Sequence, residues 1–163
     1  IVRLAIECMG IEDKSQRIEQ FFVKLDELLE ITAKQLCNRY NFQKTALAKQ
    51  FPLLMSALWS GCENLKPNDT IERVINQGTL GIGFIGLAEC LKALIGEHHG
   101  ESAKARKLGN EIVKFMRDKC DAYGQEYNLN FTCLATPAEG LSGRFTNIDR
   151  AIYGKIKGVT DKE

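Results

Sequence analysis

The sequence predicts an α/β protein, predominantly helical, with short strands near 79–87 and 131–136. Three observations predict it. Apolar residues recur at three- and four-residue steps over 13–40 and again over 102–127, the pattern of a helix with one apolar face. The stretch Leu80-Gly81-Ile82-Gly83-Phe84-Ile85 alternates by two, as a strand does. The run Phe131-Thr132-Cys133-Leu134-Ala135, entered from the turn residues Asn128-Leu129-Asn130, reads as a short buried strand.

The chain opens with Ile1-Val2-Arg3-Leu4-Ala5-Ile6, an apolar start that reads as a segment of a longer protein. A short helix here breaks at Met9-Gly10-Ile11-Glu12. The long helix over 13–40 carries Ile18, Phe21, Phe22, Leu25, Leu28, Leu29, Thr32 and Leu36 on its apolar stripe, and Asn41 is a suitable left-handed end. Pro52 marks a boundary or a first helical turn, and Leu53, Leu54, Ala57, Leu58 and Trp59 read as buried. Residues 61–64 and 66–69 are turn chemistry. A short helix over 69–75 follows, capped by Asp69 or Thr70. Beyond the first strand come a helix over 87–95, stopped by Gly96, and a helix over 102–127 that buries Leu108, Ile112, Phe115, Met116, Tyr123 and Tyr127. The tail from Thr136 reads as loop-rich, with a helix near 148–153. The whole reads as one partial domain over 1–163, with a helical part at about 1–75 and a strand–helix–strand part at about 78–163.

Composition narrows the function classes. The chain has 163 residues, a formal net charge of +1 and no dense Lys/Arg run, so electrostatics give no case for nucleic acid or an anionic membrane. No apolar run approaches the ~20 residues that span a bilayer, and Arg3, Glu7, Glu12 and Asp13 interrupt any signal-peptide pattern at the start. The cysteines at 8, 37, 62, 90, 120 and 133 form no C-x-x-C pair. They read as reduced, mostly buried thiols of a cytoplasmic protein.

Residues 81–86, Gly-Ile-Gly-Phe-Ile-Gly, match G-x-G-x-x-G literally. A dinucleotide-binding turn needs a strand before its first glycine, and the polar stretch 72–78 gives none. The motif itself alternates, with Leu80, Ile82 and Phe84 on one face and Gly81, Gly83 and Ile85 on the other. A strand with a nearly bare face signals close approach by another strand, a loop or a ligand.

The second glycine-bearing stretch, Phe131-Thr132-Cys133-Leu134-Ala135-Thr136-Pro137-Ala138-Glu139-Gly140-Leu141-Ser142-Gly143-Arg144-Phe145, runs from a strand into small residues. A helix starting near Ala138 or Glu139 would offer free amides to a phosphate, with Thr136, Ser142 and Arg144 adding two hydroxyls and a cation. An ordinary strand-to-helix turn with a proline start accounts for the same spacing. His98-His99, flanked by Glu97 and Glu101, has no third ligand at a useful spacing and reads as a loop between helices. Glu89 and Glu139 each follow a glycine-bearing strand and are candidates for paired carboxylates.

Taken together, the stretch from Asn76 through Ser102 and the stretch from Phe131 through Asp161 resemble anaerobic (class III) ribonucleotide reductase. Two separate motifs agree with that family in order and spacing, and Val2-Arg3-Leu4-Ala5-Ile6-Glu7-Cys8-Met9-Gly10 resembles a further segment of it. Over about 13–70 the likeness rests on helix pattern. The resemblance implies an oxidoreductase that converts ribonucleoside triphosphates to deoxyribonucleotides by glycyl- and thiyl-radical chemistry. It implies a ten-stranded α/β barrel of two five-stranded halves, with both predicted strands in the second half. The turn Thr136, Pro137, Ala138, Glu139 and Gly140 is then the loop that binds substrate phosphates, with Ser142 and Arg144 added on physical grounds.

The same resemblance places the radical cysteine before Ile1, and the glycyl-radical motif and a structural four-cysteine zinc site after Glu163. No catalytic residue, metal or cofactor is therefore expected within this segment. For the whole protein it implies a glycyl radical, a structural zinc, an activating enzyme that uses S-adenosylmethionine and an iron–sulfur cluster, and a homodimer. A helical interaction or dimerisation module, resting on Phe21, Phe22, Leu25, Leu28 and Leu29, is the alternative.

Overall fold

The computed structural model describes residues 1–56 and 58–161. The elements run α1 (Val2–Cys8), α2 (Lys14–Gln43), a 3-10 turn (Ala48–Gln50), α3 (Pro52–Met55), α4 (Glu72–Ile75), β1 (Thr79–Phe84), α5 (Leu87–Ile95), α6 (Ala103–Tyr127), β2 (Asn130–Ala135) and α7 (Glu139–Tyr153). The predominantly helical α/β reading is what the chain adopts.

The strands pair with each other. Asn130 Nδ2 donates to the Gly78 carbonyl at 3.3 Å, and the Thr136 amide donates to the Phe84 carbonyl at 3.0 Å. The register advances equally along both strands, so β1 and β2 are parallel, and α5 and α6 form the crossover that parallel neighbours require. Along β1, Ile82 is buried while Gly81 and Gly83 are exposed, so the two faces divide as the alternation predicts.

Two compact units divide the chain, one comprising Ile1–Leu29, Gly83–Lys119 and Cys133–Glu163, the other Glu30–Ile82 and Cys120–Thr132. In the first, α1 packs on α5. Their buried residues include Ala5, Ile6 and Cys8 from α1 and Cys90, Leu91 and Leu94 from α5. Phe21 and Leu25 of α2 and Ile112 and Met116 of α6 are buried as well. Phe22 and Phe115 meet edge-to-face, with ring centroids 5.2 Å apart. Arg17 donates to the carbonyls of Ile11, between α1 and α2, and of Leu94, in the last turn of α5. The Asp149 carboxylate, buried on α7, accepts from Arg3 Nε of α1 at 2.6 Å.

In the second unit, Ala48, Leu54, Cys62, Ile71 and Val74 form a small core. A bridge between Leu47 and Thr70 closes the loops around it. Tyr123, Tyr127 and Phe131 make a separate aromatic cluster, with centroids 5.8 to 6.4 Å apart.

Several local expectations are corrected. The first strand ends at Phe84, because Gly86 takes a left-handed conformation, φ 77°, and starts α5. β2 is not a buried strand; its residues are half-buried or exposed, and Leu134 is 38% exposed. The tail beyond Thr136 is no loop, since residues 139–153 form one helix. α2 runs past Asn41 to Gln43. Asp69 does not cap α4; its carboxylate closes a turn by accepting from the Lys66 amide, and Thr70 lies opposite Leu47 in an isolated bridge, one residue before the cap position. α4 begins instead after Ile71 with no side-chain cap. Leu28, Leu53, Leu58 and Trp59 are exposed, and only Leu54 of the Pro52 segment is buried. Ala57 lies outside the described residues. Gly96 stops α5 at φ 88°, as expected.

Five of the six cysteines are buried and Cys133 is half-buried; all are free thiols. Burial pushes the Cys90 thiol up to about 12. Its thiolate, the reactive form, is therefore strongly disfavoured. A thiol-alkylating reagent on the native protein is expected to modify Cys133 first and Cys90 only after unfolding, as read by peptide mass mapping. Equal labelling rates at the two positions would contradict this packing.

Candidate functional site

The turn from β2 into α7 is built by strand pairing on one side and helix geometry on the other. The Thr136 amide makes the last backbone bond to β1. Pro137 and Ala138 then redirect the chain. Ala138 is the residue before the helix, at φ −138° and ψ 34°, and makes no side-chain cap. Its carbonyl accepts from the amides of Leu141, at 3.0 Å, and Ser142, at 2.8 Å. The amides of Glu139 and Gly140 have no carbonyl one turn back to accept them, as in any first helical turn.

α7 starts without a side-chain cap, as do α1, α3, α4 and α5. Ser, Thr, Asp or Asn before a helix fills the free amides with a side-chain oxygen, a gain of typically ~1 kcal/mol over alanine. Here alanine stands in that place, so no side chain at the cap position serves the first-turn amides. Glycines compound the pattern. A side chain added at Gly140 or Gly143 would meet nothing within 4 Å. Glycine inside a helix costs roughly 0.8–1.0 kcal/mol relative to alanine, and no contact within the described residues repays it. The surface at the start of α7 is thus kept open at a cost in stability.

The predicted site residues divide accordingly. Thr136, Pro137, Ala138, Glu139 and Gly140 are contiguous around the helix start. Thr136 and Ala138 are half-buried; Pro137, Glu139 and Gly140 are exposed. The Thr136 hydroxyl is turned toward β1, lying 2.0 Å from where a Cβ on Gly83 would stand. Glu139 occupies the first turn of α7, where a carboxylate complements the helix dipole. Ser142 directs its hydroxyl to the Glu139 carbonyl at a long 3.5 Å, so it serves the helix backbone. Arg144 is exposed, farther along α7.

Other candidates resolve into structural roles. Glu89 sits in the first turn of α5, the same dipole-favoured position that Glu139 has in α7. His98 Nδ1 accepts from the Gly100 amide at 3.0 Å and the His98 amide donates to Glu101, so His98 builds the α5–α6 turn. Among the described residues, no group of three or more His, Cys, Asp or Glu side chains is arranged to hold a metal. No helix of the described residues is long and apolar enough to cross a membrane. Sequence reasoning did not single out Gly83 as a partner of Thr136. The bare strand face was its only signal.

A family model described as anaerobic ribonucleoside-triphosphate reductase matches residues 1–163. The chain belongs to the anaerobic ribonucleoside-triphosphate reductase family. It is 32% identical to the reductase of that name from Salmonella typhimurium over 163 residues, which is 98% of this chain. It is 31% identical over 163 residues to the Escherichia coli K12 reductase, and 32% identical over 147 residues to that of enterobacteria phage T4, 88% of this chain. In each case the chain spans 22% of the relative's length. Within these reductases it corresponds to one segment, and the uncapped turn at Ala138 lies inside it.

Proposed function

We propose that the whole protein reduces ribonucleoside triphosphates to deoxyribonucleoside triphosphates by glycyl- and thiyl-radical chemistry. This segment supplies wall of the ten-stranded barrel and the turn that holds the substrate's phosphates. The observation that carries the phosphate reading is the uncapped start of α7, where the amides of Glu139 and Gly140 are left open beside residues too small to block approach. The radical-bearing residues, the structural zinc and the contacts with an S-adenosylmethionine-dependent activating enzyme belong to other parts of the protein, which works as a homodimer. The reaction runs in the cytoplasm.

The chain's own part is to bind and orient. Backbone amides at a helix start favour anionic oxygen without a mobile side chain, so the phosphates are fixed and the ribose is held in place. Glu139 repels phosphate, and its exposed carboxylate stays clear by pointing along the helix flank or toward a substrate-bound cation. Arg144 is the cation that reaches the outer phosphate.

Ala138→Leu in the full-length reductase tests this reading. Leucine at the half-buried turn obstructs the amides while leaving the core intact. Nucleoside-triphosphate affinity is expected to fall about tenfold or more, equivalent to roughly 1.4 kcal/mol, with little change in thermal midpoint. Unchanged affinity would exclude the turn as the phosphate site.

A further inference from the structure

We propose that Gly83 is a positioning residue for substrate binding: its bare Cα on β1 seats the side chain of Thr136 and thereby fixes the phosphate turn. The proposal rests on the reading of that turn given above. It gives a glycine of the 81–86 stretch a task distinct from nucleotide contact.

The geometry is specific to this pair. A Cβ at Gly83 would lie 2.0 Å from Thr136 Oγ1, 3.4 Å from Thr136 Cβ and 3.8 Å from Leu134 Cγ. The last two are ordinary or slightly tight contacts, and the first is impossible. The hydroxyl therefore occupies the space that any other residue at position 83 would fill. The Thr136 amide is bonded to the Phe84 carbonyl at 3.0 Å, so backbone and side chain of Thr136 are both held against β1. The next residues are Pro137, which stiffens the chain, and Ala138, whose carbonyl starts α7. A displacement of Thr136 is passed directly to the amides of Glu139 and Gly140.

Rotation about χ1 offers little escape. Threonine carries two heavy atoms on Cβ, so of its two other rotamers one puts the methyl group into the same space. Only one clears it, and reaching that rotamer abandons the present orientation of the hydroxyl. With alanine at 83, Thr136 must either rotate in that one way or move back by about 1 Å. A misplacement of that size can cost up to ~100-fold in a catalytic parameter when it reaches reacting groups.

The experiment uses the full-length reductase with Gly83→Ala, Thr136→Ala and the double variant. It reads KM and kcat for the nucleoside triphosphate, thermal midpoint, and hydrogen exchange at the 139 and 140 amides. Gly83→Ala is expected to raise KM roughly tenfold with a smaller change in kcat, and to change exchange at 139 and 140. Thr136→Ala alone is expected to raise KM by less than about threefold, because the amides remain. The double variant, with the impossible contact removed, is expected to recover most of the Gly83→Ala loss. If Gly83→Ala fails to fold, recovery of folding and exchange in the double variant carries the same information. Unchanged exchange and unchanged KM in Gly83→Ala overturn the proposal, as does a double variant whose loss is the product of the two single losses. Altered exchange with unchanged nucleotide affinity leaves Gly83 seating Thr136 but sinks the phosphate reading of the turn, and with it a role in substrate binding.

Discussion

Gly86→Ala is expected to destabilise the protein by about 2–4 kcal/mol, combining left-handed strain of roughly 1–2 kcal/mol with an overpacking cost of similar or larger size. Gly86 has φ 77°, a conformation that residues with a Cβ adopt at a penalty. A Cβ there would also stand 2.4 Å from Cγ2 of Val2, on the helix that packs against α5. Neither problem relieves the other. Moving φ into the ordinary region unseats the start of α5, and moving Val2 disturbs the buried neighbours Ala5 and Ile6. Thermal or urea unfolding measures the loss. A midpoint within 1 °C of the unsubstituted protein would show that the close packing of Gly86 on Val2 is wrong.

Phe21→Ala is expected to cost about 3–5 kcal/mol, the range for removing a fully enclosed phenyl ring. Phe21 is 0% exposed and lies edge-on to Phe22, with centroids 5.7 Å apart. Truncation forfeits the transfer energy of the ring and leaves a void that close-packed neighbours fill only in part. The adjacent Phe22→Ala removes a ring of equal size from a half-buried position, so it is expected to cost less. Urea unfolding of both variants separates the cases. An equal loss at the two positions would mean that the burial difference along α2 is not real.

Where one residue type at one position decides the local conformation, the sequence was readable. Gly96 ends α5 because only glycine takes its φ without strain, and the α5 pattern stops there. The α2 and α6 stripes were readable because burial repeats over many turns, though Leu28 drifts to the exposed side. α7 was hidden by Gly140, Ser142, Gly143, Thr146 and Asn147, all poor helix formers. Its stripe of Leu141, Phe145, Ile148 and Ile152 was the signal to weigh against them, since the spacing is helical. Leu53, Leu58 and Trp59 show the converse. Apolar character predicts a preference for burial, but burial needs a neighbour, and none of the described residues covers them to that degree.

The candidate site was half legible. Small residues after a strand marked a turn at Thr136–Gly140, but an ordinary strand-to-helix turn fits the same spacing, and the phosphate reading of it came from the family resemblance. The vacant face of β1 correctly announced that something comes close, but the visitor is the side chain of Thr136, far along the chain. Periodicity within a window carries no information about such a pair. The missing cap at Ala138 could have been read directly, because alanine immediately before a helix is itself unusual.

The parallel register of β1 and β2 has a kinetic consequence. The chain can close the Gly78–Asn130 contact only across a separation of 52 residues, and the intervening α5 and α6 are local structures that form on their own timescale. Loop closure is paid before any strand bond rewards it, so strand pairing depends on a crossover already compact. The turn at Thr136–Gly140 hangs from the far end of that pairing. Its formation is therefore expected late in folding, after α6 has docked.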